Sequence, residues 1–292
     1  MPMSSRSARS LLLASRGFRL SGIDPDSTPG SGHDKNEAVD ELAEGLAELS
    51  TLQEKLFAGS RFGGSRSVLL VLQAMDTAGK GGIVRHVMGG MDPQGVRVVA
   101  FKKPTAEERE HDFLWRIRPQ LPAPGHIVVF DRSHYEDVLI HRVHGLSTPE
   151  VIEERYGIIN DFEADVAASG TVIVKVMLHI SADEQAKRLR ERLERPEKHW
   201  KFSPGDLDER AYWNEYQEAY QLAIERTSTG HAPWFVVPAN RKYYARLAVQ
   251  QLLLDAMRGL ELGWPAATFD VDEQLARLEA SASVSRTPLR PA

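Results

Sequence analysis

Cysteine is absent from this 292-residue chain. That excludes disulfides and zinc–thiolate sites and suits a reducing cytoplasm. No apolar run approaches the ~20 residues that cross a bilayer, so nothing points to a membrane partner. A basic excess is missing as well. With 36 Lys and Arg against 41 Asp and Glu the formal charge is −5, which argues against a globally basic nucleic-acid binder. There is no internal repeat and no mid-chain linker, so one large domain with extensions is expected. The remaining composition, 42% hydrophobic and 26% charged, is that of an ordinary globular protein able to bury a core.

The two ends differ from the middle. Residues 1–33 are rich in Ser and Arg, with no acid before Asp24. Their composition is like that of a transit peptide, but Leu11-Leu12-Leu13 is too short for a secretory core, and a flexible or loosely docked arm is the plainer reading. Residues 265–292, rich in Ala, Ser, Arg and Pro, read as a second tail. The domain itself is expected over 34–264.

Between the tails, short β-branched runs alternate with helical patterns. Strands are predicted at 68–75, 96–101, 126–131, 171–180 and 234–238, nearly continuously apolar as strands buried on both faces should be. Helices are predicted at 36–58, 81–91, 106–118, 149–168, 182–195, 206–227 and 241–259. Thr148 is the expected N-cap of the fourth, with Pro149 in its first turn. This alternation indicates an α/β fold with a mostly parallel sheet, which binds ligands at the carboxyl ends of its strands.

The first strand runs into Ala74-Met75-Asp76-Thr77-Ala78-Gly79-Lys80-Gly81-Gly82 and then a helical segment. Glycines let backbone N–H groups approach phosphate oxygens, and Lys80 adds a point charge. The ordinary P-loop pattern ends in Gly-Lys-Ser/Thr, whose hydroxyl ligates magnesium. Here Ala74 replaces the first glycine and Gly81 stands at the hydroxyl position. Asp76 would repel phosphate if left bare, at about 4 kcal/mol for like charges ~4 Å apart at an effective dielectric of 20. Magnesium held by Asp76 removes that repulsion; capping of the next helix is the blander role.

The strand at 126–131 also ends in an acid, Asp131, in the Walker B layout. If it pairs beside the first strand, Asp76 and Asp131 together suit magnesium, with Arg132 offering a planar fork to a transferring phosphoryl group. Glu136 is either a helix-start acid or a group that orients the acceptor or a second ion. His134, His141 and His144 lack the compact spacing of a zinc site and read as solvent-facing or hydrogen-bonded.

Residues 187–201 hold seven Lys and Arg against three Glu, with Arg188, Arg192 and Arg195 on one helical face. Following the fourth strand, where P-loop kinases carry a mobile lid, these arginines are candidates for phosphate contact. Arg241 and Lys242, cations at a helix start, hint at an anion nearby.

Together, Asp76-Thr77-Ala78-Gly79-Lys80-Gly81-Gly82, Asp131-Arg132-Ser133-His134-Tyr135-Glu136-Asp137, Phe101-Lys102-Lys103-Pro104-Thr105, His111-Asp112-Phe113-Leu114-Trp115-Arg116, Lys242-Tyr243-Tyr244-Ala245-Arg246 and the basic lid resemble the polyphosphate kinase 2 family over about 36–264. The Ser-His-Tyr-Glu-Asp form is most similar to the class III branch, which uses AMP or ADP. Phe130-Asp131-Arg132 departs from the Asn-Arg form of many relatives. The resemblance implies a thymidylate-kinase-like P-loop core with a helical lid over about 182–215. It implies Mg2+-dependent phosphoryl transfer between inorganic polyphosphate and a nucleoside mono- or diphosphate, and a homodimer or homotetramer. It makes Asp76 and Asp131 the metal ligands and Lys80 and Arg132 the grip on the transferring phosphate. Thr77, Ala78, Gly79, Gly81, Gly82, Lys103, Glu136, Arg188, Arg192 and Arg195 become phosphate- or nucleotide-binding residues. An ATP-dependent nucleotide kinase and a catalytically silent polyphosphate-binding regulator are the alternatives.

Overall fold

The computed structural model describes residues 8–32 and 34–282. In chain order the elements are α1 (Ala8–Leu12), α2 (Lys35–Ser60), β1 (Ser67–Ala74), α3 (Lys80–Ile83, continued by a π-helical turn over Val84–Met88), β2 (Val96–Ala100) and β3 (Ile127–Asp131). There follow α4 (Ile140–Val143), α5 (Pro149–Ala168), β4 (Thr171–His179), α6 (Ala182–Glu194), α7 (Gly205–Arg210), α8 (Trp213–Thr227), β5 (Trp234–Pro238), α9 (Lys242–Arg258) and α10 (Val271–Ala282). All five predicted strands form. They pair in parallel in the order β2-β3-β1-β4-β5.

The apolar runs explain the layering. Along β1 every residue is buried, and alternate side chains face opposite layers. Val68, Leu70 and Leu72 pack with Leu49 and Leu56 of α2 and with the buried face of α9. Leu69 and Val71 pack with Ile159 and Phe162 of α5 and Ala223 of α8. Each fully buried Leu or Val side chain contributes roughly 1.5–3 kcal/mol. Helix α2 lies so close to α9 that a Cβ at Gly45 would meet Gln250 Oε1 at 2.4 Å. The starts of the helices are written locally. Asp34 and Glu37 form a reciprocal capping box at α2, and Thr148 caps α5 with Pro149 in its first turn.

Three expectations change, two of them helical. No helix forms over 106–118. Thr105 and Glu108 exchange backbone-to-side-chain hydrogen bonds ahead of a short 3-10 turn (Glu108–Glu110), then the Asp112 side chain accepts from Leu114 N at 3.0 Å and starts a new turn. This places Leu114 and Ile117 in the core. The helix expected over 206–227 breaks into α7 and α8. Arg210 of α7 reaches back to Ala182 O (2.6 Å) and Gln185 Oε1 (2.9 Å), and Glu209 meets Tyr216 Oη (2.7 Å), contacts that override local propensity.

The third concerns the ends. The described part of the expected loose arm, 8–32, is docked along β5. Leu13 bridges Phe235, Ala14 N donates to Trp234 O at 2.9 Å, and Tyr244 Oη donates to Pro29 O at 2.9 Å. The reason is the edge: β5 ends the sheet, and the arm covers its unpaired backbone groups. The described part of the C-terminal tail forms α10, with Leu275 and Leu278 exposed. Residues 1–7, 33 and 283–292 of those tails lie outside the described residues. Among the described residues no helix is long and apolar enough to cross a membrane.

The connection leaving β1 runs to β2 on one side of the sheet and that leaving its neighbour β4 runs to β5 on the other, so the two diverge and open a crevice at the carboxyl ends. Leu72 pairs with Asp131, so the loop after β1 and the turn after β3 emerge side by side.

Candidate active site

The loop after β1 is shaped by its backbone. Gly79 has φ +119°, a conformation that disfavours any Cβ, and Gly82 N and Ile83 N bond to Gly79 O at 2.8 and 3.1 Å to open the helix. Thr77 has φ +67° although it is β-branched, and its buried hydroxyl has no hydrogen-bond partner among the described residues. Lys80 Nζ donates to Ala74 O at 3.3 Å, folding back over the loop.

The turn after β3 faces it. Arg132 has φ +63°, its N–H bonds to Leu72 O at 3.1 Å, and its guanidinium donates to Asp76 Oδ1 at 3.0 Å. Asp76, Asp131 and Arg132 line one cleft of about 960 Å³ together with Thr77, Ala78, Gly79, Lys80, Gly81 and Gly82. Glu136, in the 3-10 turn His134–Asp137, lies beside this group. Burial raises its carboxyl above the ordinary value, with Arg132, Lys80 and a hydrogen bond to Gln73 offsetting part of that rise.

The three lid arginines part company. Arg188 is buried, and each of its five N–H donors has an acceptor. Nε bonds Glu184 (2.8 Å), Nη1 bonds Thr77 O (3.0 Å) and Ala78 O (2.8 Å), and Nη2 bonds Ala239 O (2.7 Å) and Asn240 O (2.9 Å). It lines the cleft and clamps the loop, with all five donors engaged by protein acceptors in this arrangement. Arg192 lines the cleft, with Nη1 on Asp206 Oδ2 (3.1 Å) and Lys201 O (2.9 Å). Arg195 is exposed, paired with Glu191 and Glu197, and is not among the cleft residues. Lys103 is likewise exposed and outside the cleft, where its neighbour Lys102 stands instead. The helix ends once the chain reaches Pro196, so the regular spacing that aligned the three arginines does not carry Arg195 inward.

Residues given no individual site role from the sequence also reach the cleft: Arg85 and His86, which no motif included, Lys198, Lys201 and the indole of Trp200, 79% exposed, from the basic stretch, and Arg246 from the Lys242–Arg246 motif. The first two stand one turn into the helix that follows the loop, a position that could have flagged them. In all, ten Lys and Arg line this cleft against three carboxylates, in a chain of formal charge −5. Burial, with the neighbouring cations adding to it, disfavours further positive charge here. His86 is held below its ordinary value by burial and then by Arg246 and Arg85, Arg246 by burial and then Arg85, and Lys242 by burial and then Arg188. Arg241 remains exposed outside it.

Among the described residues no three His, Asp or Glu side chains are grouped to hold a metal. The protein therefore builds no closed cage. Two carboxylates at adjacent strand tips fit an ion that keeps several positions for water and phosphate oxygens, as magnesium does. His134 is fully buried and hydrogen-bonded, not solvent-facing, with its Nε2 3.2 Å from Glu163 Oε1.

Residues 32–262 match the profile of the polyphosphate kinase 2 family. An AMP/ADP-polyphosphate phosphotransferase of Meiothermus ruber is 47% identical over 248 residues, covering 85% of this chain and 91% of that protein. An ADP-polyphosphate phosphotransferase of Rhodopseudomonas palustris is 44% identical over 239 residues, 76% of this chain and 80% of that protein. The crystal structure of polyphosphate kinase 2 from Arthrobacter aurescens TC1 superposes with a TM-score of 0.93 at 59% identity, covering 94% and 98% of the two chains. This chain belongs to the polyphosphate kinase 2 family.

Proposed function

We propose that this protein transfers a phosphoryl group between inorganic polyphosphate and a nucleoside mono- or diphosphate of the AMP/ADP type. The observation that carries the reading is the cleft: ten cationic side chains around a phosphate loop suit a donor of far higher charge density than a single nucleotide. The names of the Meiothermus and Rhodopseudomonas relatives support the same chemistry.

In this reading the terminal phosphate of the chain lies on the loop backbone at Ala78, Gly79, Gly81 and Gly82, with Lys80 and Arg132 on its oxygens. The free hydroxyl of Thr77 adds a donor. Arg85, Arg246, Lys242, Lys198 and Lys201 hold the following phosphates. A phosphate oxygen of the acceptor attacks the terminal phosphorus; one P–O bond forms, and the bond to the next phosphate breaks, leaving the chain one unit shorter. The acceptor oxygen is already ionised, so no general base is required, and catalysis rests on alignment and charge neutralisation. Asp76 and Asp131 would hold magnesium, which when bound would screen the two polyanions from one another. Arg132, paired with Asp76, is placed to follow charge onto the transferring oxygens, and Glu136 orients the acceptor side.

The test is incubation with magnesium, long-chain polyphosphate and AMP, ADP or GDP in turn, measuring every nucleotide formed. Polyphosphate-dependent formation of di- or triphosphate is expected. Turnover with ATP as donor and none with polyphosphate would instead make the protein a nucleotide kinase.

A further inference from the structure

Beneath the turn that carries Arg132 lies a charged pair in the core. Lys175 of β4 and Glu163 of α5 have side chains 0% and 1% exposed, and Lys175 Nζ stands 2.5 Å from Glu163 Oε2. The other two ammonium donors go to Tyr135 Oη and Thr227 O, each at 2.8 Å, so all three are satisfied. Glu163 Oε1 accepts from Tyr135 Oη at 2.9 Å and is 3.2 Å from His134 Nε2. The ammonium also sits over the rings of Tyr135 (5.3 Å) and Trp234 (5.2 Å). Desolvation alone would raise the Glu163 carboxyl, but Lys175 and then His134 outweigh it and hold the group below its ordinary value.

Stability does not account for this pair. Its neighbours are Trp234, Phe162 and Val236, and a buried ion pair is commonly matched or bettered by apolar residues of similar volume. What the pair supplies is direction. Its partners His134 and Tyr135 are consecutive residues, immediately preceded by Arg132-Ser133 and followed by Glu136. Further ties on this turn are Ser133 Oγ, which accepts from Gln73 Nε2 and from Tyr135 N, both at 3.2 Å, Arg132 N on Leu72 O at 3.1 Å, and Arg155 Nη1 on Asp137 O at 2.7 Å at its far end. Arg132 itself is at positive φ, a conformation that persists only where the surroundings over-determine it.

We propose that Glu163 and Lys175 are positioning residues for phosphoryl transfer: by gripping His134 and Tyr135 they fix the turn that presents Arg132 to Asp76 and Glu136 to the acceptor. The inference rests on the transfer reading above. It separates alignment from substrate capture, because the phosphate loop and the basic side chains are held by other contacts.

The experiment compares wild type, Tyr135→Phe and the double variant Glu163→Leu/Lys175→Met. Turnover and KM for polyphosphate are measured, with Tm and amide hydrogen exchange across residues 131–137. For the double variant kcat should fall about 100-fold, the scale of a ~1 Å misplacement at the reacting centre. KM for polyphosphate should stay within about twofold, as expected when an interaction acts only in the transition state. Exchange in the turn should accelerate about tenfold, more than in the rest of the sheet, so that the loss is local and exceeds what any fall in Tm accounts for. Tyr135→Phe, which removes only the bridging hydroxyl, should give the same pattern at smaller amplitude. A double variant that folds, turns over like wild type and keeps the turn protected overturns the proposal. If the double variant fails to fold, wild-type kcat in Tyr135→Phe does so. If wild type moves no phosphate from polyphosphate to any nucleotide, the transfer reading falls, and exchange alone decides whether the pair holds the turn.

Discussion

The two loops that meet at Asp76 and Arg132 are held from opposite directions. The phosphate loop is fixed from the lid side. Arg188 takes the carbonyls of Thr77 and Ala78, and Gln185 Nε2 donates to Asp76 O at 3.2 Å, both from α6. The turn after β3 is fixed from the core side, through the Glu163–Lys175 pair and Ser133. Each contains a non-glycine residue at positive φ, and the described residues hold just one other, Glu261. Strained backbone survives in both because neighbours over-determine it, but with different consequences. The first loop is tied directly to α6 and, through Asn240, to the N-terminal arm; the second is tied to the sheet and α5, and meets the arm indirectly through Trp234, whose ring packs on Tyr135 and whose carbonyl accepts from Ala14 N.

Cutting the bridge between the loops should have the largest effect. Asp76→Asn is expected to lower kcat/KM about 10³-fold, the scale of losing a group aimed at transition-state charge. The ion pair itself is worth only about 0–1 kcal/mol, since both side chains are more than a quarter exposed, so Tm should barely move. Near-normal turnover in this variant would sink the metal role of Asp76.

Loosening the phosphate loop alone comes next. Arg188→Lys offers three donors where five are used, leaving buried carbonyls unpaired at a cost of about 2 kcal/mol. Turnover should drop about 100-fold through misplacement of the loop. Unchanged kinetics would mean that the loop needs no clamp from the lid.

The arm gives a pH-dependent version of the same test. Burial holds His179 down to about 4, below its ordinary 6.5, with a hydrogen bond to the Ile23 backbone offsetting part of the shift. The fold therefore prefers neutral imidazole: this contribution is complete above pH 6.5 and is lost as pH falls toward 4. The full span is at most about 3 kcal/mol. Tm measured between pH 7 and pH 4, at roughly the midpoint of which the shift is steepest, should fall for wild type and fall less for His179→Gln. The smallest effect belongs to Arg195→Ala. Its pairs with Glu191 and Glu197 are exposed and screened by solvent, so Tm should not move measurably and activity should change less than about twofold.

Much of the fold could be read in the residues, because β1, β3, β4 and β5 are buried on both faces and their runs are mostly apolar, whereas the edge strand β2 is largely exposed and was legible from its β-branched residues. Thr148-Pro149 wrote the start of α5, and Gly79-Lys80 with Asp131-Arg132 wrote the outline of the site. The lid was legible as a charged stretch but not in its roles. The spacing of Arg188, Arg192 and Arg195 predicted one helical face, yet the helix stops at Glu194, and one became a backbone clamp, one a cleft residue and one a surface pair beyond the helix. Periodicity reports a face, and which part of that face meets a neighbour depends on where the helix is anchored. The segment 106–118 misled for a related reason: Asp112 offers its side chain to Leu114 N, and that local bond competes with helix where Leu114 and Ile117 gain a core.

The sequence by itself determined the strand-forming segments, the alternation that makes the sheet parallel, and the chemistry gathered at two strand tips. These follow from local pattern and from residue types that the chemistry needs. Only the tertiary structure decided that the N-terminal arm closes the β5 edge, that Arg188 holds the loop, and that a lysine and a glutamate meet inside the core beneath Arg132. Those depend on contacts between segments far apart in the chain, and hydrogen-bond geometry between such segments exists only once the chain is folded.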